Sequence, residues 1–256
     1  MNLMQLDEYF RSFLDFESFA TDYSLNGIQV ENSNPFEKPI ERVAFAVDAC
    51  TETIARAAKA KADLLFVHHG LFWGQCQRIT GSHYQRIKAM VNQDIALYAC
   101  HLPLDANTQV GNNYGIARRL GLEQIVPFGL WKGLCIGAAG VLPKALNVNQ
   151  LTKKLLPNGE QPLGILPFGK REIRSVAIVS GGGGSDELEQ AISEGYDAFI
   201  TGEIKHELYH TAMEAGICVI AGGHYQTETV GVQLVMEKLT AEKGLDTIFI
   251  DVPTGL

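Results

Sequence analysis

Short apolar runs recur along this chain, separated by stretches with the apolar spacing of helices and by turns rich in Gly, Asn and Asp. Residues 43–67, VAFAVDACTETIARAAKAKADLLFV, read as strand, turn, Ala-rich helix, Asp and second strand. Residues 176–201, VAIVSGGGGSDELEQAISEGYDAFIT, read the same way. The match extends downstream, where a helix near 83–92 and a strand at 95–99 mirror a helix near 205–214 and a strand at 217–221. It extends upstream too, where a helix near 3–14 and a strand at 27–30 mirror a helix near 148–156 and a strand at 162–166. After the downstream strands come His101-Leu-Pro-Leu-Asp105 and His224-Tyr-Gln-Thr-Glu228, each followed by an amphipathic run, Asn112–Leu120 and Gly231–Leu239.

Apolar runs of this length alternating with helical periods predict α/β layers with largely buried, mixed sheets packed by helices. The repeat predicts an internal duplication: two αββαβαβα-like halves, 1–129 and 130–256. Ligands of open α/β sheets bind at the carboxyl ends of strands. If a pseudo-twofold relates the halves, the His/carboxylate pairs share a cleft between them.

Composition narrows the picture. Of 256 residues, 46% are apolar and 20% charged, ordinary for a globular protein. No apolar window is long enough to span a bilayer, and no basic stretch precedes an apolar core at the N-terminus, so no secretory signal is expected. Five cysteines without CxxC spacing read as reduced, mostly buried thiols of a cytoplasmic protein. A net charge of −8 argues against broad nucleic-acid binding, which runs on Lys and Arg. It leaves room for one nucleotide held at a metal, which supplies the positive charge.

Strand ends carry the candidate chemistry. Strand 63–67 leads into His68-His69-Gly70, strand 95–99 into His101 and Asp105, strand 197–201 into Gly202-Glu203, and strand 217–221 into His224 and Glu228. Imidazoles with carboxylates suit two divalent ions, Zn, Mn, Fe or Ni. Neighbouring side chains on a strand diverge, so His68 and His69 serve separate ions, which Glu228 bridges. Such centres activate water and clamp phosphate or amide oxygens. The candidate ligands are His68, His69, Asp105, His224 and Glu228; His101 and Glu203 are candidates to orient a ligand from behind.

Three other features compete. His206-Glu207-Leu208-Tyr209-His210 matches H-E-x-x-H, the zinc peptidase pattern, with Glu228 downstream. The strand at 217–221 interrupts that reading, and it leaves His68, His69 and Asp105 without roles. Gly181–Gly184 opens a helix with Ser185 or Asp186 as the expected cap. It reads as a close-approach turn or a phosphate loop, without a Walker lysine. Leu71-Phe72-Trp73-Gly74 either walls the site or packs a subunit contact. No Ser-His-Asp order or Gly-x-Ser-x-Gly elbow occurs.

The segments Ser24-Leu-Asn-Gly-Ile-Gln-Val30, Asp63-Leu-Leu-Phe-Val-His-His-Gly70, His101-Leu-Pro-Leu-Asp105, Thr201-Gly-Glu203 and Gly223-His-Tyr-Gln-Thr-Glu228 span nearly the whole chain. Together they resemble the NGG-interacting-factor-three-like family, the dinuclear metal-centre proteins also labelled GTP cyclohydrolase I type 2 homologues. The resemblance implies metal ligands at His68, His69, Asp105, His224 and Glu228, a duplicated α/β fold, and a ring-shaped homohexamer with its metal sites facing an inner cavity. It leaves the HELYH segment outside the family pattern. The expected activity is metal-dependent hydrolysis of a nucleotide or similar small molecule; the alternative is a metal-containing scaffold or regulatory adaptor without turnover.

Overall fold

The computed structural model describes residues 1–256. In chain order the first elements are α1 (Leu3–Arg11), β1 (Gly27–Val30), β2 (Arg42–Asp48), α2 (Thr51–Lys59), β3 (Leu64–His69), α3 (Gly81–Gln93), β4 (Ala96–Ala99), α4 (Leu102–Asp105) and α5 (Asn112–Leu120). There follow β5 (Glu123–Trp131), β6 (Leu134–Leu146), α6 (Val148–Leu155), β7 (Gly164–Pro167), β8 (Ile173–Val179), α7 (Ser185–Ser193), β9 (Ala198–Thr201), α8 (Leu208–Ala215), β10 (Cys218–Ala221), α9 (His224–Lys243) and β11 (Asp246–Phe249). The protein is mixed α/β, with two mixed sheets packed by helices. It divides into two compact units, Met1–Leu104 with Val232–Val252, and Asp105–Gly231 with Pro253–Leu256.

The first unit is built on the sheet β1-β4-β3-β2-β11. β2, β3, β4 and β11 run parallel to their neighbours, and β1 lies antiparallel on the edge. Side chains alternate between the two faces of a strand. Phe45, Phe66 and Tyr98 occupy one ladder row, with Phe45–Phe66 centroids 5.2 Å apart and Phe66–Tyr98 stacked at 5.6 Å. Phe10 of α1 covers them at 5.0 Å from Phe66 and 4.8 Å from Tyr98. All four are fully buried, and each contributes roughly 1.5–3 kcal/mol by leaving water. Tyr98 keeps its hydroxyl satisfied by donating to Asp7 Oδ1 at 2.9 Å. Ala44, Ala46, Leu65, Val67, Leu97 and Ala99 form a second cluster with Ile54 and Ala57 of α2 and Met90 of α3.

The second unit is built on the sheet β5-β6-β8-β9-β10-β7. Here β8, β9 and β10 are parallel and β7 is the antiparallel edge. The row order β7-β10-β9-β8 therefore has the same strand directions as β1-β4-β3-β2. What differs is the extension beyond it: β11 adds parallel to β2, whereas β6 adds antiparallel to β8. The β5–β6 hairpin, which the hydrophobic pattern did not predict, closes over Lys132-Gly133 with φ of 47° and 86°. Two positive φ values are the type I′ signature that matches strand twist.

Both units use an aspartate in the same way. Asp63 Oδ2 accepts from the N–H groups of Glu41 and Arg42 at 2.9 and 3.1 Å, where β2 begins. Asp197 Oδ2 accepts from those of Arg174 and Ser175 at 2.9 and 3.0 Å, within β8. Burial pushes the pKa of the Asp197 carboxyl up, but the ion pair with Lys170 and the two backbone donors outweigh it and hold it below 3.8. A folded-state carboxylate depressed in this way stabilises above its unfolded pKa and ceases to do so as pH falls through its folded value. We therefore expect Asp197→Ala to destabilise the protein by about 1–3 kcal/mol near neutral pH. The difference from wild type should shrink towards zero as urea unfolding is repeated below the ordinary 3.8 of a carboxyl. A difference that is constant with pH would refute the linkage.

Candidate metal centre

In the first unit, three imidazoles converge where the parallel strands end. β3 terminates at His69, and Asp48, the last residue of β2, is its ladder partner. That register places Asp48 Oδ1 2.9 Å from His69 Nδ1. His68 is fully buried, and its Nδ1 lies 2.9 Å from the carbonyl oxygen of Cys100, just past β4. A carbonyl only accepts, so Nδ1 carries the proton and Nε2 is the basic nitrogen. His101 follows β4 directly, and its Nδ1 sits 3.0 Å from Asp22 Oδ1. Ring centroids are 4.6 Å apart for His68–His69, 5.0 Å for His68–His101 and 5.6 Å for His69–His101. One ligand nitrogen from each lies within 4.8 Å of the others, a group able to hold a metal ion. Trp73 stands beside it, 5.1 Å from His101 and 5.9 Å from His69 by centroid, its Nε1 donating to Gly70 O at 3.2 Å.

The second unit collects carboxylates. α9 begins at His224, one turn before Glu228, where the sequence reading starts the helix, so His224 and Glu228 lie one turn apart on a helix face. His224 Nε2 is 3.1 Å from Glu228 Oε1, and Nδ1 is 2.6 Å from Glu203 Oε1. Glu228, and after it Glu203, push the pKa of the His224 imidazolium up to about 9. Asp105, buried like Glu228, offers a carboxylate oxygen within 4.8 Å of one from Glu228. Asp105 Oδ1 accepts from Asn112 Nδ2 at 2.8 Å and Ser180 Oγ at 3.0 Å. Asn112 Oδ1 in turn accepts from the N–H of Gly231 at 2.6 Å, and Asn113 Oδ1 accepts from Ser180 N at 2.7 Å. Two carboxylates buried this close repel each other, and taking each from water costs several kcal/mol.

These arrangements fit a divalent cation. All four histidines give Nδ1 to a protein oxygen, the arrangement that fixes the tautomer and ring angle of a metal-bound imidazole. The buried carboxylate pair is the place where a cation would offset the repulsion. Gly181 meets the same requirement from another side. Its φ is 64°, and a Cβ there would collide with Glu228 Oε1 and lie 3.1 Å from His224 Nε2.

Each unit gathers the predicted residues that fall within it: His68, His69 and His101 in the first, Asp105, His224, Glu228 and Glu203 in the second. Asp22, Asp48, Asn112 and Ser180 were missed. Asp48 had a signal, as a polar residue ending an apolar strand beside the one ending in His-His; the others sit in loops or helix starts that no period marks.

The H-E-x-x-H reading loses its premise. α8 begins at Leu208, so His206 and Glu207 precede the helix, and they are exposed together with His210. The cap of α7 is Gly184, whose N–H donates to Glu187 Oε2 at 2.7 Å, in place of Ser185 or Asp186. Of the five cysteines only Cys100 and Cys218 are buried; Cys76 is exposed in a loop, and Cys50, the cap of α2, and Cys135, beside the β5–β6 turn, are intermediate.

The fold and these clusters define a mixed α/β protein with residue groups able to hold a metal ion. The chain belongs to the Duf34/NIF3 (NGG1p interacting factor 3) family, whose model matches residues 1–255. It is 48% identical to the protein named GTP cyclohydrolase 1 type 2 homolog of Treponema pallidum (strain Nichols), covering 100% of both chains. It is 43% identical, again over 100% of both, to the protein of the same name from Archaeoglobus fulgidus. Among solved structures it resembles TTHA1606 from Thermus thermophilus, with a TM-score of 0.89, 38% identity and 100% of both chains covered.

We expect Gly181→Ala to weaken binding of Mn2+ or Zn2+ by about tenfold or more. Gly182→Ala should bind as wild type does, since its Cβ meets nothing nearer than His224 Cε1 at 3.9 Å. Calorimetric titration of the three proteins decides; equal affinities would remove Glu228 and His224 from the centre.

Proposed function

We propose that this protein is a metal-dependent hydrolase acting on a nucleotide or related small molecule. In this reading His68, His69, Asp105, His224 and Glu228 would hold two divalent ions drawn from Zn, Mn, Fe and Ni, with Glu228 the carboxylate that would serve both. The observation that carries it is the common engagement of Nδ1: His68 on Cys100 O, His69 on Asp48, His101 on Asp22 and His224 on Glu203. The substrate class is supported by the names of the relatives, which are homologues of a GTP cyclohydrolase.

When bound, such ions supply an acidified water and positive charge for a phosphoryl oxygen or ring nitrogen. The chain's own residues do the rest. Asp48, Glu203 and the Cys100 carbonyl set which nitrogen each histidine presents. Asn112 and Ser180 hold Asp105 by one oxygen. Trp73 offers an apolar wall beside His69 and His101, suited to a planar base.

The shared row β1-β4-β3-β2 and β7-β10-β9-β8, with Asp63 and Asp197 in matching roles, supports an internal duplication with halves 1–129 and 130–256. Self-association into a ring-shaped homohexamer is supported by the edge strand β5, which carries Val126 at 45% and Leu130 at 59% exposure. No helix is long and apolar enough to cross a membrane; cysteines outside disulfides fit a reducing compartment such as the cytoplasm.

Turnover of a panel of purine and pyrimidine nucleotides, GTP included, by Zn-, Mn-, Fe- and Ni-loaded protein tests the proposal. We expect Glu228→Gln to lower the rate about a hundredfold or more while the fold persists by circular dichroism. Equal rates in both proteins would sink it. Metal uptake without turnover of any nucleotide, joined to partner capture that survives metal removal, would favour the non-catalytic scaffold.

A further inference from the structure

Asp22 lies in the loop between α1 and β1, yet its side chain is only 2% exposed. Burying a carboxylate is costly unless donors surround it, and here they do. Oδ1 accepts from the N–H of Ser24 at 3.1 Å and faces His101 Nδ1 at 3.0 Å. Oδ2 accepts from Asn26 Nδ2 at 3.0 Å and from the N–H of Leu102 at 3.1 Å, and faces His101 Nδ1 at 3.1 Å. Asn26 Oδ1 accepts from the backbone N–H of His101 at 2.7 Å. One loop therefore grips both the main chain and the ring of His101.

The network has one hydrogen assignment. Backbone N–H groups only donate, so Asn26 must point its oxygen at His101 N and its NH2 at Asp22. An ionised carboxylate only accepts, so His101 Nδ1 must carry a proton. In the neutral ring the basic nitrogen is then Nε2. His101 belongs to the trio with His68 and His69, so this fixes which atom it brings there.

We propose that Asp22 is a positioning residue that makes His101 a further nitrogen donor of the metal centre, through Nε2. This rests on the metal reading above, and it moves His101 from orienting a ligand to being one. Asp22→Asn shows why the carboxylate is needed. An asparagine has one accepting oxygen. If its NH2 replaces Oδ2, it opposes two donors, Asn26 Nδ2 and Leu102 N. If it replaces Oδ1, it opposes Ser24 N and sets His101 Nδ1 between an NH2 at 3.0 Å and an oxygen at 3.1 Å, so the Nδ1–H form loses one of its two acceptors while the Nε2–H form gains a donor at Nδ1. That tautomer cannot ligate through Nε2.

The experiment has a metal-free arm and a metal arm. In full-length protein with 15N-labelled histidine, long-range 1H–15N spectra at about pH 8, above the ordinary imidazole range, report each ring's tautomer. His101→Gln assigns the signal. We expect wild-type His101 in the Nδ1–H form and a substantial Nε2–H population in Asp22→Asn. In the metal arm, Co2+ is titrated into proteins that also carry Trp131→Phe, so that quenching reports Trp73, beside His101. We expect Asp22→Asn and His101→Gln each to weaken Co2+ binding about 10–100-fold, and Asp94→Asn, at the carboxylate before β4 that pairs with Lys38 at 2.7 Å, to leave it unchanged.

Wild-type His101 in the Nε2–H form would overturn the proposal, as would unchanged Co2+ affinity in His101→Gln. Neither measurement depends on Asp22→Asn folding. Absence of Co2+ uptake by the wild-type chain would instead overturn the metal reading itself. The tautomer, read without metal, tells the two failures apart.

Discussion

An imidazole presents one nitrogen to an ion reliably only when something holds the other. Four histidines of this protein meet that condition, three on carboxylates and one on a backbone carbonyl. The constraint reaches far into the fold. His68 needs the carbonyl of Cys100 beside it, which requires β3 and β4 in their parallel register. His69 needs Asp48, which requires β2 to end in the same ladder row on the neighbouring strand. Shift either strand by one residue and each side chain would move to the other face. The aromatic row Phe45, Phe66, Tyr98 under Phe10 resists such a shift, because it would exchange those rings for side chains of the opposite cluster.

The second unit solves a different electrostatic problem. Its candidate ligands are mostly acidic and buried, so the polar groups around them compensate for lost water. Asn112 and Ser180 donate to one oxygen of Asp105, and Asn112 is itself oriented by the N–H of Gly231. His224 lies between Glu203 and Glu228, which keep it an imidazolium up to about pH 9 without metal. A proton and a metal ion compete for Nε2, which ties ligation there to pH.

Much of this was legible in the sequence because it follows strand ends. β1, β3, β4, β8, β9 and β10 all lie within a few residues of their predicted places, and the histidines that end or follow strands stood out. The β5–β6 hairpin did not, since Pro127, Gly129, Gly137 and Gly140 break the strand pattern and Lys132-Gly133 is a weaker hairpin signal than Asn-Gly. The pattern puts the start of α9 at Glu228, and the helix begins one turn earlier, at His224, where glycines precede it and the first turn is polar. Asp22 was hidden for a deeper reason: its importance depends on a loop folding back over residues about eighty positions later, and no local period encodes that.

The strand ladders sharpen the asymmetry between the units. Ala46, Val67 and Ala99 occupy one row across β2, β3 and β4; Val179, Thr201 and Ala221 occupy the matching row across β8, β9 and β10. Counting two residues on from each row pairs Asp48 with Gly181, His69 with Glu203, and His101 with Gly223. The unit that carries Asp48 uses it to hold His69. The unit that carries Gly181 uses the missing side chain to admit Glu228 and His224 from α9, and the Glu203 that stands where His69 would be becomes the oxygen that holds His224. Two exchanges at strand ends, Asp48 for Gly181 and His69 for Glu203, together with the two side chains from α9, separate the imidazole cluster from the carboxylate one on the same frame. The two kinds of cluster offer an ion different things, since imidazoles supply affinity for borderline metals and carboxylates supply the charge.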